Sequence, residues 1–173
     1  MKILKRLTAV ILVGAMALSL TACGSGKKKV TAKEFKKIMK AADYEVEESE
    51  DEDADECWEA YYTDEDNNGV DIVYYLFDSK GDAKACFNQS YDDLKAEYDD
   101  ELFDGDIEKK SWYFTADGEF DEDSDILGGQ MAGRWYITCI VAEETLLVCY
   151  SSPDKACKKN LKNVLSDLGY DIG

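Results

Sequence analysis

The stretch that decides the fold is residues 70–77, with the sequence VDIVYYLF. Seven of its eight residues are apolar or aromatic, so an extended strand here has side chains to cover on both faces. The stretch therefore predicts a strand in the interior of a sheet. Asn68-Gly69 comes just before it and favours a type I′ hairpin turn, whose two central residues need positive φ. The strand before the turn is predicted at residues 57–63, with one face formed by Trp58, Ala60 and Tyr62.

A second hairpin is predicted further along the chain, at residues 133–142 and 145–151, around Glu143-Glu144. Both arms are rich in β-branched and aromatic residues, which fit the pleated surface of a sheet. Residues 110–115 have the same character and predict one more strand.

Three helices are predicted from apolar residues that recur at helical spacing. The first covers residues 32–42 and starts with a capping box opened by Thr31. The second covers about residues 81–98. The third begins after a cap at Ser152 and stops at Gly169, because glycine readily adopts the left-handed conformation that ends a helix.

Two acidic segments are predicted to be loops. Ten of the fourteen residues from 43 to 56 are acidic, and like charges at that density repel, so we expect an exposed connection there. The second segment covers residues 116–130. Its carboxylates could bind calcium weakly, because the run supplies hard oxygen ligands but lacks a closing bidentate acid. The residues concerned are Asp117, Glu119, Asp121, Asp123 and Asp125.

Together these elements predict one α+β domain at residues 31–173. We expect an antiparallel sheet of about five strands, with about three helices packed mainly on one face. A tryptophan opens each hairpin and a helix follows each one, so a duplicated hairpin-helix unit is an alternative description of the same elements. The residues expected to be largely buried are Trp58, Phe87, Trp135 and Leu165.

The first residues of the chain have the pattern of a secretory signal. Lys2, Lys5 and Arg6 precede an uncharged run that extends from Leu7 to Leu20. The end of this run, Leu20-Thr21-Ala22-Cys23, resembles the lipobox of bacterial lipoproteins. The resemblance is confined to residues 1–23, and it implies a diacylglyceryl group on the Cys23 thiol and cleavage before that residue.

The resemblance also implies a domain organisation and a location. We expect a signal peptide at residues 1–22, a lipidated tether at residues 23–30 and the folded domain after it. The apolar run is shorter than the ~20 residues that cross a bilayer, so the lipid would anchor the protein to the cell membrane on its extracytoplasmic face.

The charge of the chain restricts its partners. The formal net charge is −18, and removing residues 1–22 removes three basic side chains and no acidic one, which lowers it to −21. Such a chain lacks the basic stripe of nucleic-acid-binding proteins. The expected partners are the membrane, through the lipid anchor, and an envelope protein or glycan.

The five cysteines after Cys23 show no C-x-x-C spacing, so neither a thioredoxin-type site nor a zinc ribbon is expected. Cys86 and Cys157 lie on the apolar sides of two predicted helices. They are either buried free thiols or a disulfide between those helices. A two-residue turn in the second hairpin would point Cys139 and Cys149 to opposite faces of the sheet.

No catalytic residue or cofactor, other than the lipid on Cys23, is predicted. The chain contains no histidine, which excludes Ser-His-Asp and Cys-His nucleophilic sites, and it has no Gly-x-Ser-x-Gly motif. The sequence therefore favours a membrane-anchored, non-catalytic binding or accessory module. The alternative is a carboxylate-dependent hydrolase that acts on cell-wall material, since 38 acidic residues guarantee close carboxylate pairs.

Overall fold

A computed structural model describes residues 29–126, 129–130 and 132–172. The signal peptide, Cys23 and most of the tether lie outside the described residues. The helices are α1 (Ala32–Ala41), α2 (Lys80–Asp99) and α3 (Lys155–Asp167). The strands are β1 (Glu45–Ser49), β2 (Glu56–Thr63), β3 (Gly69–Leu76), β4 (Phe103–Lys109), β5 (Tyr113–Phe120), β6 (Asp125–Ile126), β7 (Gly129–Gln130), β8 (Gly133–Ala142) and β9 (Thr145–Ser151). None of the described helices has both the length and the apolar character needed to cross a bilayer.

Seven strands form one sheet in the order β1-β2-β3-β9-β8-β5-β4, and every neighbouring pair is antiparallel. The short strands β6 and β7 pair with each other. The predicted α+β class with an antiparallel sheet is confirmed, although the sheet has seven strands instead of about five. As the sequence predicts for residues 70–77, β3 lies inside the sheet, between β2 and β9.

The additional strands lie where charge predicted loops or where no strand was expected. β1 falls within the acidic segment 43–56, and β4 follows α2 directly. β5 extends to Phe120, so the predicted loop at 116–130 begins too early. β1 and β4 are the edge strands of the sheet, where charged side chains are common because they discourage pairing with other chains. Their charge therefore reflects exposure, not loop structure.

The first hairpin turn differs from the prediction. Gly69 pairs with Thr63 inside the ladder, and the loop is formed by the residues between them. One carboxylate oxygen of Asp64 accepts the backbone N–H groups of Asp66 and Asn68, each at 2.9 Å. Positive φ occurs at Asn67 (65°) and not at Asn68-Gly69, so the type I′ turn is wrong. Aspartate favours such loops because its side chain hydrogen-bonds the backbone a few residues ahead.

The helices begin and end close to the predicted residues, and only the cap of α3 is shifted. Thr31 and Glu34 form the expected capping box of α1. The cap of α3 is Asp154 and not Ser152, because the Asp154 carboxylate accepts the N–H groups of Ala156 and Cys157. Gly169, with φ at 91°, follows the end of α3 as predicted.

The helices cover both faces of the sheet. On the face that we call the α1/α3 face, the Phe35 ring of α1 stacks on Tyr74 of β3, with ring centroids 5.2 Å apart. Leu161 and Leu165 of α3 belong to the same buried cluster. On the opposite face, the α2 face, Phe87 packs on Phe114 with centroids 5.5 Å apart. Two helices thus share one face, and α2 lies on the other.

This arrangement bears on the duplicated hairpin-helix unit. The hairpin β2-β3 leads into α2, and the hairpin β8-β9 leads into α3. β3 and β9 are antiparallel neighbours, so the rotation axis that would exchange the two hairpins is perpendicular to the sheet. A duplicated unit related by this rotation would have both of its helices on the same face. The helices lie on opposite faces, so the structure does not support a duplicated unit.

Two of the four residues expected in the core are fully buried, namely Phe87 and Leu165. Trp58 and Trp135 are only half-buried. The Lys36 ammonium lies 3.3 Å from the centre of the Trp58 ring, at the edge of the α1/α3 face. The Trp135 indole N–H donates to the Ala132 carbonyl at 2.9 Å, close to solvent.

We predict that Phe87→Ala destabilises the protein by about 3–5 kcal/mol, because it removes a fully buried ring and leaves a cavity under α2. Urea denaturation followed by tryptophan fluorescence measures the change. Tyr98→Ala is the control, since Tyr98 is on the same helix but 47% exposed, and we expect a much smaller loss. Equal losses for the two variants would contradict the packing of α2 described here.

Candidate functional site

The α2 face is only partly covered. α2 packs mainly against β4, β8 and β9, and on the same side of β3 its cluster includes Tyr75. Most of the side chains that β1, β2 and β3 present there are exposed or half-buried, whereas Cys57 of β2 is buried. We call this surface the open acidic face, and its residues are Glu45, Glu47, Glu59, Tyr61, Asp71 and Val73.

The register of the strands orders these residues in two rows across the sheet. One row contains Glu45, Tyr61 and Asp71 and ends at Tyr150 of β9. The adjacent row contains Glu47, Glu59 and Val73. The rows are two residues apart along each strand, which is about 7 Å, and neighbours within a row are about 5 Å apart. Four carboxylates and two tyrosines therefore share one small surface.

One carboxylate of the first row is held by a tyrosine. The Tyr61 hydroxyl donates to Glu45 Oε2 at 2.7 Å. This hydrogen bond to a carboxylate, together with its charge, raises the pKa of the Tyr61 hydroxyl. The contact fixes the position of the Glu45 carboxylate at the edge of the face.

The other carboxylates are arranged unfavourably. Glu47 lies directly opposite Glu59, and like charges in that position destabilise a sheet. Burial raises the pKa of the Asp71 carboxyl from 3.8 to about 6, and the charge of Glu59 adds to this effect. Asp71 Oδ1 is buried and accepts no hydrogen bond from the described residues. The folded chain thus holds several carboxyl groups close together at this place.

A few acidic residues elsewhere in the described chain form ion pairs with lysine or arginine. Asp117 pairs with Lys158 at 2.5 Å, and Glu144 pairs with Lys29 at 2.9 Å. No ion pair between described residues involves the four carboxylates of the open acidic face.

The residues suggested for calcium are not brought together. Asp117 and Glu119 lie on β5, and the Asp117 carboxylate is already bound by Lys158. Asp121 lies in the following turn, where it accepts the Asp123 N–H at 3.2 Å. Asp125 is in β6, and its side chain lies outside the described ones.

One other group has the residue types of a metal site. Asp64, Asp154 and Cys157 place one ligand atom each within 4.8 Å of one another. Both carboxylates already accept backbone N–H groups, Asp64 in the hairpin loop and Asp154 at the start of α3. The group is thus explained by a turn and a helix cap.

The structure does not bring Cys86 and Cys157 together. Cys86 packs on the α2 face and Cys157 on the α1/α3 face, with the sheet between them. Cys139 lies opposite Val148, and Cys139 and Cys149 belong to the clusters on opposite faces, as expected from a two-residue turn. Burial raises the pKa of both of these thiols, which keeps them protonated. The five cysteines after Cys23 are free thiols in this structure.

Sequence reasoning did not identify the open acidic face. Asp71 was visible as the one charged residue in an otherwise apolar strand, and that was the only signal. Its grouping with Glu59, Glu47 and Tyr150 depends on the register of four strands. No spacing along the chain encodes that grouping.

Comparison with known proteins gives one finding for this part of the molecule. A family model described as peptidase propeptide and YPEB domain matches residues 3–76. The described part of the matched segment consists of α1, β1, β2 and β3, the element set that carries the open acidic face. No curated protein and no solved structure matches the chain.

We predict that Asp71→Asn stabilises the protein at pH 7 by about 1–2 kcal/mol, allowing for the solvent that reaches this half-buried group. The unfolded chain ionises Asp71 near pH 4 and the folded chain near pH 6. The wild-type protein therefore loses stability as the pH rises between these values, and the variant does not. Urea denaturation at pH 4 and pH 7 measures the difference, which should vanish at pH 4. Asp92→Asn is the control, because Asp92 is exposed on α2 and opposes no acid across a strand pair, and an equal gain there would contradict the assignment.

Proposed function

We propose that this protein is a non-catalytic binding or accessory module whose partner is a peptidase outside the cytoplasm. The observation that carries the proposal is the match of residues 3–76 to a family described as peptidase propeptide and YPEB domain. A propeptide acts by binding a peptidase. The matched segment contains the open acidic face, so similarity and exposed surface coincide in one part of the fold.

We also propose that a lipid holds the module at the extracytoplasmic face of the cell membrane. The lipobox-like sequence Leu20–Cys23 supports this, as does the short Gly-Ser-Gly segment after it, which suits a flexible tether. Lys27 and Lys28 would add weak attraction to anionic lipids, whereas Lys29 is paired with Glu144. An anchored module meets partners that are secreted or membrane-bound at the same surface.

The second candidate is a carboxylate-dependent hydrolase acting on cell-wall material. The raised pKa of Asp71 beside Glu59 favours it, because such pairs supply an acid and a base. The two residues stand on adjacent strands of a sheet face, whereas a hydrolase pair flanks its substrate bond within a cleft. We therefore place this function second. Loss of peptidoglycan hydrolysis in an Asp71→Asn variant would favour the hydrolase function over the binding module.

A capture experiment tests the proposed function. Tagged full-length chain is expressed in its own cells, cross-linked at the cell surface and purified from detergent-solubilised membranes. We expect a peptidase among the cross-linked proteins, and we expect its activity on a fluorogenic casein to change when purified chain is added back. A set of cross-linked proteins without any peptidase, or a peptidase whose activity the chain leaves unchanged, would contradict the proposal.

We predict that Cys23→Ala moves the protein out of the membrane fraction, because Cys23 is the expected site of lipid attachment. Cell fractionation and immunoblotting measure the distribution. Cys157→Ala is the matched control, since it removes a cysteine thiol from a position unrelated to the lipobox, and it should stay with the membranes. Intact-mass measurement of the wild-type protein without an added acyl mass would disprove the anchor.

A further inference from the structure

The lysines of this acidic chain are concentrated in one layer of the fold. α1 and α3, with 10 and 13 residues, carry eight of the 17 basic residues that remain when residues 1–22 are removed, but only two of the 38 acidic ones. α2 shows the opposite balance, with three lysines and five acids. A helix that is merely solvated on such a chain would resemble α2, so solvation does not account for the charge of α1 and α3.

The two helices direct their lysines away from the sheet. Phe35 and Met39 of α1 and Leu161 and Leu165 of α3 are buried against the strands. The lysines at the opposite helical positions therefore point outward. We call the surface formed by the six exposed ones the basic helix layer, and its residues are Lys33, Lys37, Lys40, Lys155, Lys159 and Lys162.

The lysines of the two helices form one continuous surface. α1 and α3 contact each other, and the Tyr44 hydroxyl just after α1 donates to Asn160 Oδ1 of α3 at 3.1 Å. The only acids within these helices are Glu34 and Asp167. Acids on the strands beneath lie about 10 Å lower, by the diameter of a helix. Since charges further apart than about 8 Å are largely screened at physiological salt, a surface that meets this layer is influenced mainly by lysines.

The chain that leads to the expected lipid leaves the domain beside this layer. The Val30 carbonyl accepts the Tyr74 hydroxyl at 3.1 Å, directly before α1. Lys29 pairs with Glu144 at 2.9 Å, so the chain is held on the domain from this residue onward. Six peptide units separate Lys29 from Cys23, and they span at most about 20 Å. A lipid on Cys23 would therefore keep the start of α1 close to the bilayer.

We infer that the basic helix layer lies on the anionic lipid surface of the membrane that holds the anchor, with the α2 face directed away from it. The inference rests on the lipid anchor in the proposed function. Each lysine near an anionic surface strengthens binding by about fivefold, so several lysines on one side of the domain select one orientation. In this orientation the open acidic face is presented to partners outside the membrane.

Lysine labelling on lipid vesicles tests the orientation. The lipidated protein is purified from its own cells and reconstituted on vesicles of phosphatidylcholine, with or without phosphatidylglycerol. An amine-reactive ester modifies the lysines, and mass spectrometry gives the rate at each one. We expect labelling of Lys33, Lys40 and Lys159 to slow about fivefold on the anionic vesicles. Lys95 of α2, which is exposed on the opposite face, should change little. Equal rates on both vesicles, or equal slowing of Lys95, would overturn the inference.

Two matched variants test whether the charge of the layer causes the orientation. Lys33→Glu/Lys159→Glu reverses two charges of the layer, and we expect Lys40 to lose its protection on the anionic vesicles. Lys80→Glu/Lys95→Glu changes the net charge equally on α2 and should leave Lys40 protected. Circular dichroism verifies that both variants are folded. Loss of protection in both variants would show a response to total charge and overturn the inference.

The outcomes separate this inference from the lipid anchor and from another partner. If acylated wild-type protein shows no protection on the anionic vesicles, the docking is wrong and the anchor stands. If the protein has no acyl group by intact mass but anionic vesicles still protect the layer, the anchor is wrong and the docking stands. Protection on native membranes but not on phosphatidylglycerol vesicles would show that an acidic protein covers the layer, which overturns the inference.

Discussion

The pairing of β3 with β9 is the constraint on which the rest of the structure depends. These strands are distant in sequence, yet they are in register from Val70 opposite Ser151 to Leu76 opposite Thr145. They join a three-stranded meander to a four-stranded one and so create the seven-stranded sheet. α3 packs across both strands, and α1 rests on Tyr74 at the same junction. Without this pairing, each meander would have an additional exposed edge strand. α1 and α3 would each lose part of the surface on which they pack.

The width of that sheet explains why one surface stays open. Seven strands at about 4.8 Å extend roughly 30 Å, whereas a helix with its side chains is about 10 Å wide. Two helices on one face cover most of the apolar strand residues there. The single helix on the other face packs mainly on the second meander, and its cluster extends to Tyr75 of β3. On that side β1 and β2 present mostly polar side chains, with Cys57 as a buried exception, and β3 places Asp71 there.

The sequence predicts the elements well where periodicity and capping act locally. The arms of the second hairpin, 133–142 and 145–151, coincide with β8 and β9 because apolar residues and a short turn define them. It does not predict the charged edge strands β1 and β4, whose side chains resemble those of loops. It also does not reveal which face a helix covers, since that depends on where the chain crosses the sheet. For this reason the disulfide between Cys86 and Cys157 and the grouping of Glu59 with Asp71 could not be judged before the topology was known.

The alternation along β3 has a consequence for how such a protein can change over generations. Val70, Ile72 and Tyr74 are buried in the core, while Asp71 and Val73 between them face outward. Substitutions at the outward positions can alter what the surface recognises while leaving the core residues in place, so binding specificity and folding can evolve separately. Insertions in β3 would affect the core as well. One extra residue in β3 would exchange the two sets, placing a carboxylate in the core and Ile72 in solvent, so this strand should tolerate replacement but not a change in length.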